Sequence, residues 1–366
     1  MKFKAAILHR VNEPLTVETV EAEPTAPDDV VVKIGATSLC HTDLEVIEGQ
    51  LAYPLPIVLG HEAAGTVEAV GPAVTNLKRG DRVILSWNPH CGSCFYCAQD
   101  QPILCETYVK LGPEAVQFDG RTRLSLAGQP VHHMFYMASF AEYAIVPAQS
   151  AIKVSPDIPF DRACLIGCGV MTGVGGALKI ARPKPGTSVA VIGCGGVGLS
   201  AVQGARIAGA GAVIAIDPSP AKRELAGALG ATQAIDPGTE DAAAAVKRAT
   251  HGRGADVVIE AAGNEAAFRL SAEAVRTGGQ IVWLGKVNVN RDVAFRWGSL
   301  MGEKRIVRSS YGGARPATDF PLLAEMYLDG RLKLDPYISR RITLAGINDG
   351  FAALKRGDVI RSVITF

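Results

Sequence analysis

The sequence predicts an α/β protein in which a doubly wound parallel sheet is inserted into a mainly β domain. Three observations predict it: short β-rich pieces broken by Pro and Gly in the first third, alternation of apolar strands with Ala-rich helices from about Arg162 to Ser309, and a closing segment that ends again in a strand. The 366 residues suit two domains, and an apolar fraction of 48% suffices for two cores. The change of rhythm divides the chain into residues 1–162 with 310–366 around an inserted unit, residues 163–309.

In chain order, Val30–Ile34 and Arg82–Leu85 are apolar enough for strands, and Pro24, Pro27, Pro54 and Pro56 mark turns or edges. Ser188–Ile192 is a continuous apolar run, as a strand covered on both faces should be. Gly198–Gly209 is a helix of small residues, followed by strand Val213–Ile216 and helix Ala221–Leu229. The run Ala242–Ala245 is helix propensity. Strands Val257–Ile259 and Ile281–Leu284 continue the alternation; helix Phe320–Leu328 and strand Val363–Phe366 rejoin the first domain.

Net charge is +1, which gives no field to favour nucleic acid or an anionic membrane. The start, Met1–Leu8, is too short and soon too polar for an export signal, and no apolar run suffices to span a bilayer. Eight cysteines without such a signal point to a reducing, cytoplasmic setting, where thiolates stay available to metal.

Four of those cysteines, Cys91, Cys94, Cys97 and Cys105, crowd into one lobe, residues 88–110, with spacing C-x2-C-x2-C-x7-C. Four sulfurs close a tetrahedral shell around Zn²⁺ and leave no position for chemistry, so this site is structural. A nucleic-acid module built on such a lobe would carry basic residues; Gly92-Ser93, Phe95-Tyr96 and Ala98–Gln101 contain none. Gly193-Cys194-Gly195-Gly196-Val197-Gly198 reads G-x-G-x-x-G between a strand and a helix, the Rossmann fingerprint. Its glycines serve the tight turn, the approach of pyrophosphate to backbone N–H groups and close helix packing, and the helix N-terminus favours the anion. Asp217, at the end of the next strand, would accept the ribose hydroxyls and repel a 2′-phosphate, so NAD is expected over NADP. Lys222 lies one helical turn and a little beyond, within reach of the same ribose or simply solvated.

Three dispersed residues remain as ligand candidates: Cys40 in Cys40-His41-Thr42-Asp43, His61 in Gly60-His61-Glu62-Ala63-Ala64-Gly65, and Cys168 in Gly167-Cys168-Gly169. Spacing does not connect them, and each alone also reads as a core thiol or a satisfied histidine. Taken in order with the cysteine lobe, the glycine fingerprint with Asp217 and the ending Ile360–Phe366, these motifs resemble the zinc-dependent medium-chain alcohol dehydrogenases over the whole chain.

The resemblance implies a GroES-like catalytic domain, a catalytic zinc on Cys40, His61 and Cys168, and two Zn²⁺ per subunit in all. It implies that Asp43 orients His61, that Glu62 stands behind the metal, and that Thr42 bonds the substrate oxygen and begins a proton relay. Many relatives end that relay on His where this chain has Glu45, a weaker base that either replaces the His, leaves proton release to water or is simply a surface carboxylate. His41 and Arg361 would face the cofactor pyrophosphate and Thr172 the nicotinamide; Trp87, Leu51 and Phe140 would line the substrate pocket, or simply pack in the core. The segment Asp119 to His133 looks like the longer loop of the dimeric branch, with Trp297–Arg308 near the expected contact between the two copies. The implied reaction is reversible oxidation of a primary alcohol by NAD to an aldehyde, with Trp87 favouring aryl or allylic compounds. The competing branch oxidises S-(hydroxymethyl)glutathione, but it carries an arginine shortly after the last lobe cysteine, where this chain has Glu106 to Lys110. A non-catalytic nucleotide-binding zinc protein is the alternative of another class.

Overall fold

The computed structural model describes residues 1–366, in two compact units: Met1–Cys168 with Arg315–Phe366, and Gly169–Ala314. In the first unit, strands Lys2–Leu8, Thr16–Ala22, Leu124–Leu126, Gln129–His133 and Ile57–Val58 form a closed barrel. Beside it lies a seven-stranded sheet in which Asp29–Ser38 pairs antiparallel with Glu62–Val70, Tyr143–Pro147 and Arg361–Thr365. Two of the barrel strands come from the stretch read as a long loop. Arg123, buried between Asp29 (2.7 Å) and Asp119 (3.0 Å), ties that stretch to the start of the central strand.

The second unit is a six-stranded, wholly parallel sheet in the order Gln233–Ile235, Ala212–Ile216, Ser188–Ile192, Ala255–Glu260, Val275–Trp283, Arg305–Arg308. The chain reverses its direction of travel across the sheet between Ser188–Ile192 and Ala255–Glu260, the switch point where ligands of such sheets bind. Helix Gly196–Ile207 packs closely on the segment Met171–Gly175 because both contribute glycine. A Cβ on Gly173 would lie 2.1 Å from the Val197 carbonyl oxygen, and one on Gly204 would lie 3.1 Å from Val174 Cα.

Two expectations are corrected. Helix Pro316–Leu328 begins four residues before Phe320, because Pro316 occupies the first helical position, where a missing N–H costs nothing. An apolar helix of membrane-spanning length does exist: Phe160–Ala181, 22 residues with mean hydropathy 1.6. Its glycines lie inside helical turns, two of them π-turns. Of its most apolar window 72% is buried within the protein, so it serves as a core helix.

Candidate active site and zinc lobe

Strand pairing assembles the site. Ser38 faces Glu62 on one side of the central strand and Val363 on the other. Cys40, just beyond Ser38, therefore meets His61, just before Glu62, while Arg361 enters from the neighbouring strand at the same end. Helix Phe160–Leu165 lies directly on the central strand, where a Cβ on Gly35 would sit 2.2 Å from the Phe160 ring. The π-turn that follows delivers Cys168. Gly167 permits the approach, since a Cβ there would come 2.9 Å from the Leu85 carbonyl oxygen. The outcome is a set of four donors, Cys40, His61, Glu62 and Cys168, whose ligand atoms lie within 4.8 Å of one another. The resemblance implied three of them as metal ligands with Glu62 behind the metal; the fold brings all four donors together.

Asp43 organises this cluster. Its Oδ2 accepts the Cys40 N–H at 3.1 Å, which caps helix His41–Ile47, and its Oδ1 accepts the Gly60 N–H at 3.1 Å. Oδ1 also receives Nδ1–H of His61 at 3.0 Å, an assignment that leaves Nε2 as the lone-pair face. Gly60 makes this turn at φ +96°, and a Cβ there would strike the Phe140 nitrogen. Burial raises the pKa of Asp43. Burial also disfavours an imidazolium at His61, but the Asp43 and Cys40 charges outweigh it and raise the pKa well above normal. The Cys168 thiol donates to Cys40 sulfur, holding Cys40 well below the usual thiol range while Cys168 is pushed well above it. Two thiols, an imidazole and a carboxylate in one buried cluster are the donor chemistry of a divalent zinc site.

Glu62 takes a bidentate fork from Arg361, Nε to Oε2 at 3.1 Å and Nη2 to Oε1 at 3.2 Å, both residues being buried. Burial pushes the Glu62 carboxyl up to about 7 against the pull of that guanidinium. Arg361, expected at the pyrophosphate, is thus already partnered inside the catalytic unit. Thr42 is half-buried in the first turn of helix His41–Ile47; Glu45 lies one turn on, and His41 is exposed.

The expected pocket residues separate. Trp87 is half-buried, its ring 5.2 Å from Phe135 and 6.1 Å from Tyr108. Phe140 instead belongs to the core, fully buried and edge-on to Phe351 at 5.8 Å, and Leu51 packs against the same core. The aromatic ring beside the donors is Phe135, 5.5 Å and edge-on to His61, with Tyr53 at 6.0 Å behind it. Nothing in the sequence singled out Phe135. Its backbone does: Phe135, Tyr136 and Ala138 all hold left-handed φ, at 51°, 64° and 56°. Such strain costs about 1–3 kcal/mol per residue and collects at functional sites.

In the lobe, the sulfurs of Cys91, Cys94, Cys97 and Cys105 also fall within 4.8 Å of one another. Two short helices place them, Phe95–Ala98 starting after Cys94 and Glu106–Leu111 after Cys105. The N–H of Cys91 donates to Cys105 Sγ at 3.3 Å and that of Glu106 to Cys94 Sγ at 3.4 Å, bonds that favour thiolates. The backbone N–H of Ser93 is the chief reason the Cys91 thiol falls to about 5.

In the second unit, Gly193 holds φ +88°, and Gly198 packs where a Cβ would meet the Gly193 oxygen. Gly195, by contrast, has nothing within 4 Å of its Cβ position and leads into helix Gly196–Ile207, so the turn leaves room for a pyrophosphate at the helix N-terminus. Val197 lies in the first turn. Asp217 is buried at the end of its strand with Lys222 half-exposed beyond it, and Thr172 is half-buried in segment Met171–Gly175.

Known proteins agree with this chemistry. Residues 26–156 match the alcohol dehydrogenase GroES-like domain and residues 196–328 the zinc-binding dehydrogenase domain. The chain is 35% identical over its full length to alcohol dehydrogenase 1 of Pisum sativum, 97% of which is covered. It is 37% identical to S-(hydroxymethyl)glutathione dehydrogenase of Synechocystis sp., with both chains covered completely. Benzyl alcohol dehydrogenase of Acinetobacter calcoaceticus has the same fold, at TM-score 0.95 and 30% identity over all of this chain and 99% of that one. The chain belongs to the zinc-dependent medium-chain alcohol dehydrogenases, oxidoreductases that act on CH–OH groups with zinc and a nicotinamide cofactor.

Proposed function

We propose that this enzyme oxidises primary alcohols, aryl alcohols above all, with NAD as acceptor. The observation that carries the substrate class is the aromatic wall of Phe135, Trp87 and Tyr53 beside His61. Flat rings give an aryl substrate edge and face contacts worth about 0.5–1.5 kcal/mol each beyond area burial. They also narrow the space around the reacting carbon against bulky secondary alcohols. The similarity to a benzyl alcohol dehydrogenase points the same way.

Cys40, His61 and Cys168 would hold the catalytic zinc, and the four lobe cysteines the structural one. Zinc held there would supply Lewis acidity, worth up to roughly 9 pKa units on a hydroxyl, or about 12 kcal/mol. Around it, Asp43 keeps His61 in the liganding tautomer, and the Glu62–Arg361 fork holds a carboxylate behind the donors. Thr42 donates to the alcohol oxygen, contributing about 1.5–3 kcal/mol and setting direction. Glu45, three residues on along the same helix face, takes the proton outward. NAD accepts the hydride; Gly193, Gly195, Gly196, Val197 and Gly198 cradle its pyrophosphate, and Asp217 with Lys222 binds its adenosine ribose. His41, Arg361 and Thr172 are assigned to the cofactor on family resemblance.

The enzyme is proposed to act as a cytoplasmic homodimer. Arg305–Arg308 is an edge strand whose four residues are all exposed, Ile306 and Val307 by more than a third, and Trp297 and Met301 beside it are 76% and 59% exposed, a surface suited to a second copy.

The second reading, S-(hydroxymethyl)glutathione oxidation, is favoured by the full-length similarity to that dehydrogenase. The test is NADH formation by zinc-loaded protein with ethanol, benzyl alcohol, secondary alcohols, and formaldehyde plus glutathione. A kcat/KM maximum on benzyl alcohol is expected. A maximum on formaldehyde with glutathione would replace the first reading by the second, with exposed Lys110 as the glutathione anchor.

A further inference from the structure

Strand Ala212–Ile216 delivers Asp217, and helix Pro220–Ala228 starts three residues later. Both carboxylate oxygens of Asp217 are steered by backbone donors, Oδ2 by the Cys194 N–H at 2.7 Å and Oδ1 by the Ser219 N–H at 2.9 Å. Each oxygen keeps a lone pair for a ribose hydroxyl. From the first turn of the helix, Arg223 reaches back over the same corner. Its Nη1 donates to the carbonyl oxygens of Asp217 (2.7 Å) and Pro218 (2.8 Å) and pairs with Asp236 Oδ2 at 3.0 Å. Asp236 stands there because Ile216 and Ile235 are partners in the parallel ladder, and its Oδ1 is fixed by the Gly238 N–H at 2.9 Å.

A guanidinium next to the ribose-reading residue is the group that elsewhere accommodates a 2′-phosphate. Here that cation is present but engaged. We propose that Arg223 and Asp236 form a latch that aims the Asp217 carboxylate and holds the guanidinium away from a 2′-phosphate, so that three residues, not one, set the choice of NAD over NADP. The inference rests on the reading of Asp217 as the ribose site. Arg223 is a positioning residue: it fixes the two carbonyls that flank the carboxylate's own backbone. Asp236 acts one step further out, as the counter-ion that commits Arg223.

The experiment is a fluorescence titration of NADH and NADPH on the zinc-loaded protein, with melting temperature read in parallel. Asp236→Asn, which is isosteric, should tighten NADPH by about tenfold and leave NADH within about twofold, because the released guanidinium can form charge-assisted bonds. Arg223→Met should weaken NADH by about tenfold and give no gain with NADPH. The latch is overturned if either variant shifts both cofactors by the same factor, or lowers the melting temperature without changing the NADH to NADPH ratio. Wild-type protein that bound NADPH as tightly as NADH would instead reject the reading of Asp217 itself.

Discussion

Two clusters of sulfur donors lie in one unit of this protein and are built in opposite ways. The lobe draws four cysteines from a single short segment, and three of them are half-exposed. The other cluster draws Cys40, His61, Glu62 and Cys168 from three separated segments and buries all but the last. The lobe is assembled by local turns and peptide N–H groups; the buried cluster is assembled by strand register, a π-turn, Asp43 bonded to His61 and Arg361 bonded to Glu62. A closed all-sulfur shell offers a metal no open position, whereas two thiols and an imidazole leave one for substrate. On the proposed roles, proximity in sequence goes with structural support and proximity made by the fold goes with chemistry.

This contrast can be broken most directly at Cys168. Cys168→Ser should lose one of two zinc ions by metal analysis and lower kcat/KM by at least about 10³-fold, while the lobe stays folded; retained activity would mean that the buried cluster is not the catalytic site. Cys94→Ser should do the reverse, costing stability first. Structural zinc is worth about 10–16 kcal/mol of apparent binding, so forfeiting even about 4 kcal/mol lowers Tm by roughly 8–16 °C in a body of this size. Calorimetry and limited proteolysis of the lobe would register it, and an unchanged Tm would count against a metal-held lobe.

A third prediction compares two buried histidines. His61 has the Asp43 carboxylate beside it; His133 has Arg123 as neighbour, and its Nε2 accepts the Arg123 N–H at 2.8 Å. Burial, with Arg123 and His132, pushes His133 down to about 3. Its neutral form is therefore built into the fold. The unfolded chain takes up this proton below about pH 6.5, the folded chain only near pH 3, so the stability contribution is complete above pH 6.5 and is lost as pH falls. Between pH 7 and pH 5 the loss is about 2 kcal/mol, and His133→Gln should remove that slope in urea unfolding at the two pH values. An equal slope in the variant would place the proton uptake elsewhere.

The smallest effect sharpens the chemical side of the contrast. Phe135→Leu should lower the preference for benzyl alcohol over ethanol, as a ratio of kcat/KM, by about tenfold or less, with both zinc ions retained. Phe140→Leu should instead lower Tm and leave the ratio alone, since Phe140 packs on Phe351 in the core. If the two variants exchanged behaviours, the aromatic wall would have been misplaced.

Much of this is legible in residue type and spacing. The lobe was readable because its four ligands fall within a single short segment, and the glycine fingerprint because its context, strand then helix then Asp217, is local. The strands of the parallel sheet were readable because they are buried on both faces and so apolar throughout. Helix Phe160–Ala181 was not readable, since glycine disfavours a helix interior and only close packing explains Gly167, Gly173, Gly175 and Gly176. Phe135 was not readable because a chain direction set by left-handed backbone at Phe135, Tyr136 and Ala138 has no signature in residue type.

The sequence by itself determined the alternation of strands and helices, the four-cysteine lobe and the glycine turn between strand and helix. These depend on interactions between near neighbours, where residue type and spacing are sufficient. Only the tertiary structure decided that Arg361 pairs with Glu62 at the donor cluster, that the Phe135 ring packs edge-on to His61, and that Arg223 pairs with Asp236. Each of these depends on which strand lies beside which and in what register. Pairing Ser38 with Glu62 and Val363 closes loops of very different length, and no local residue pattern encodes the result.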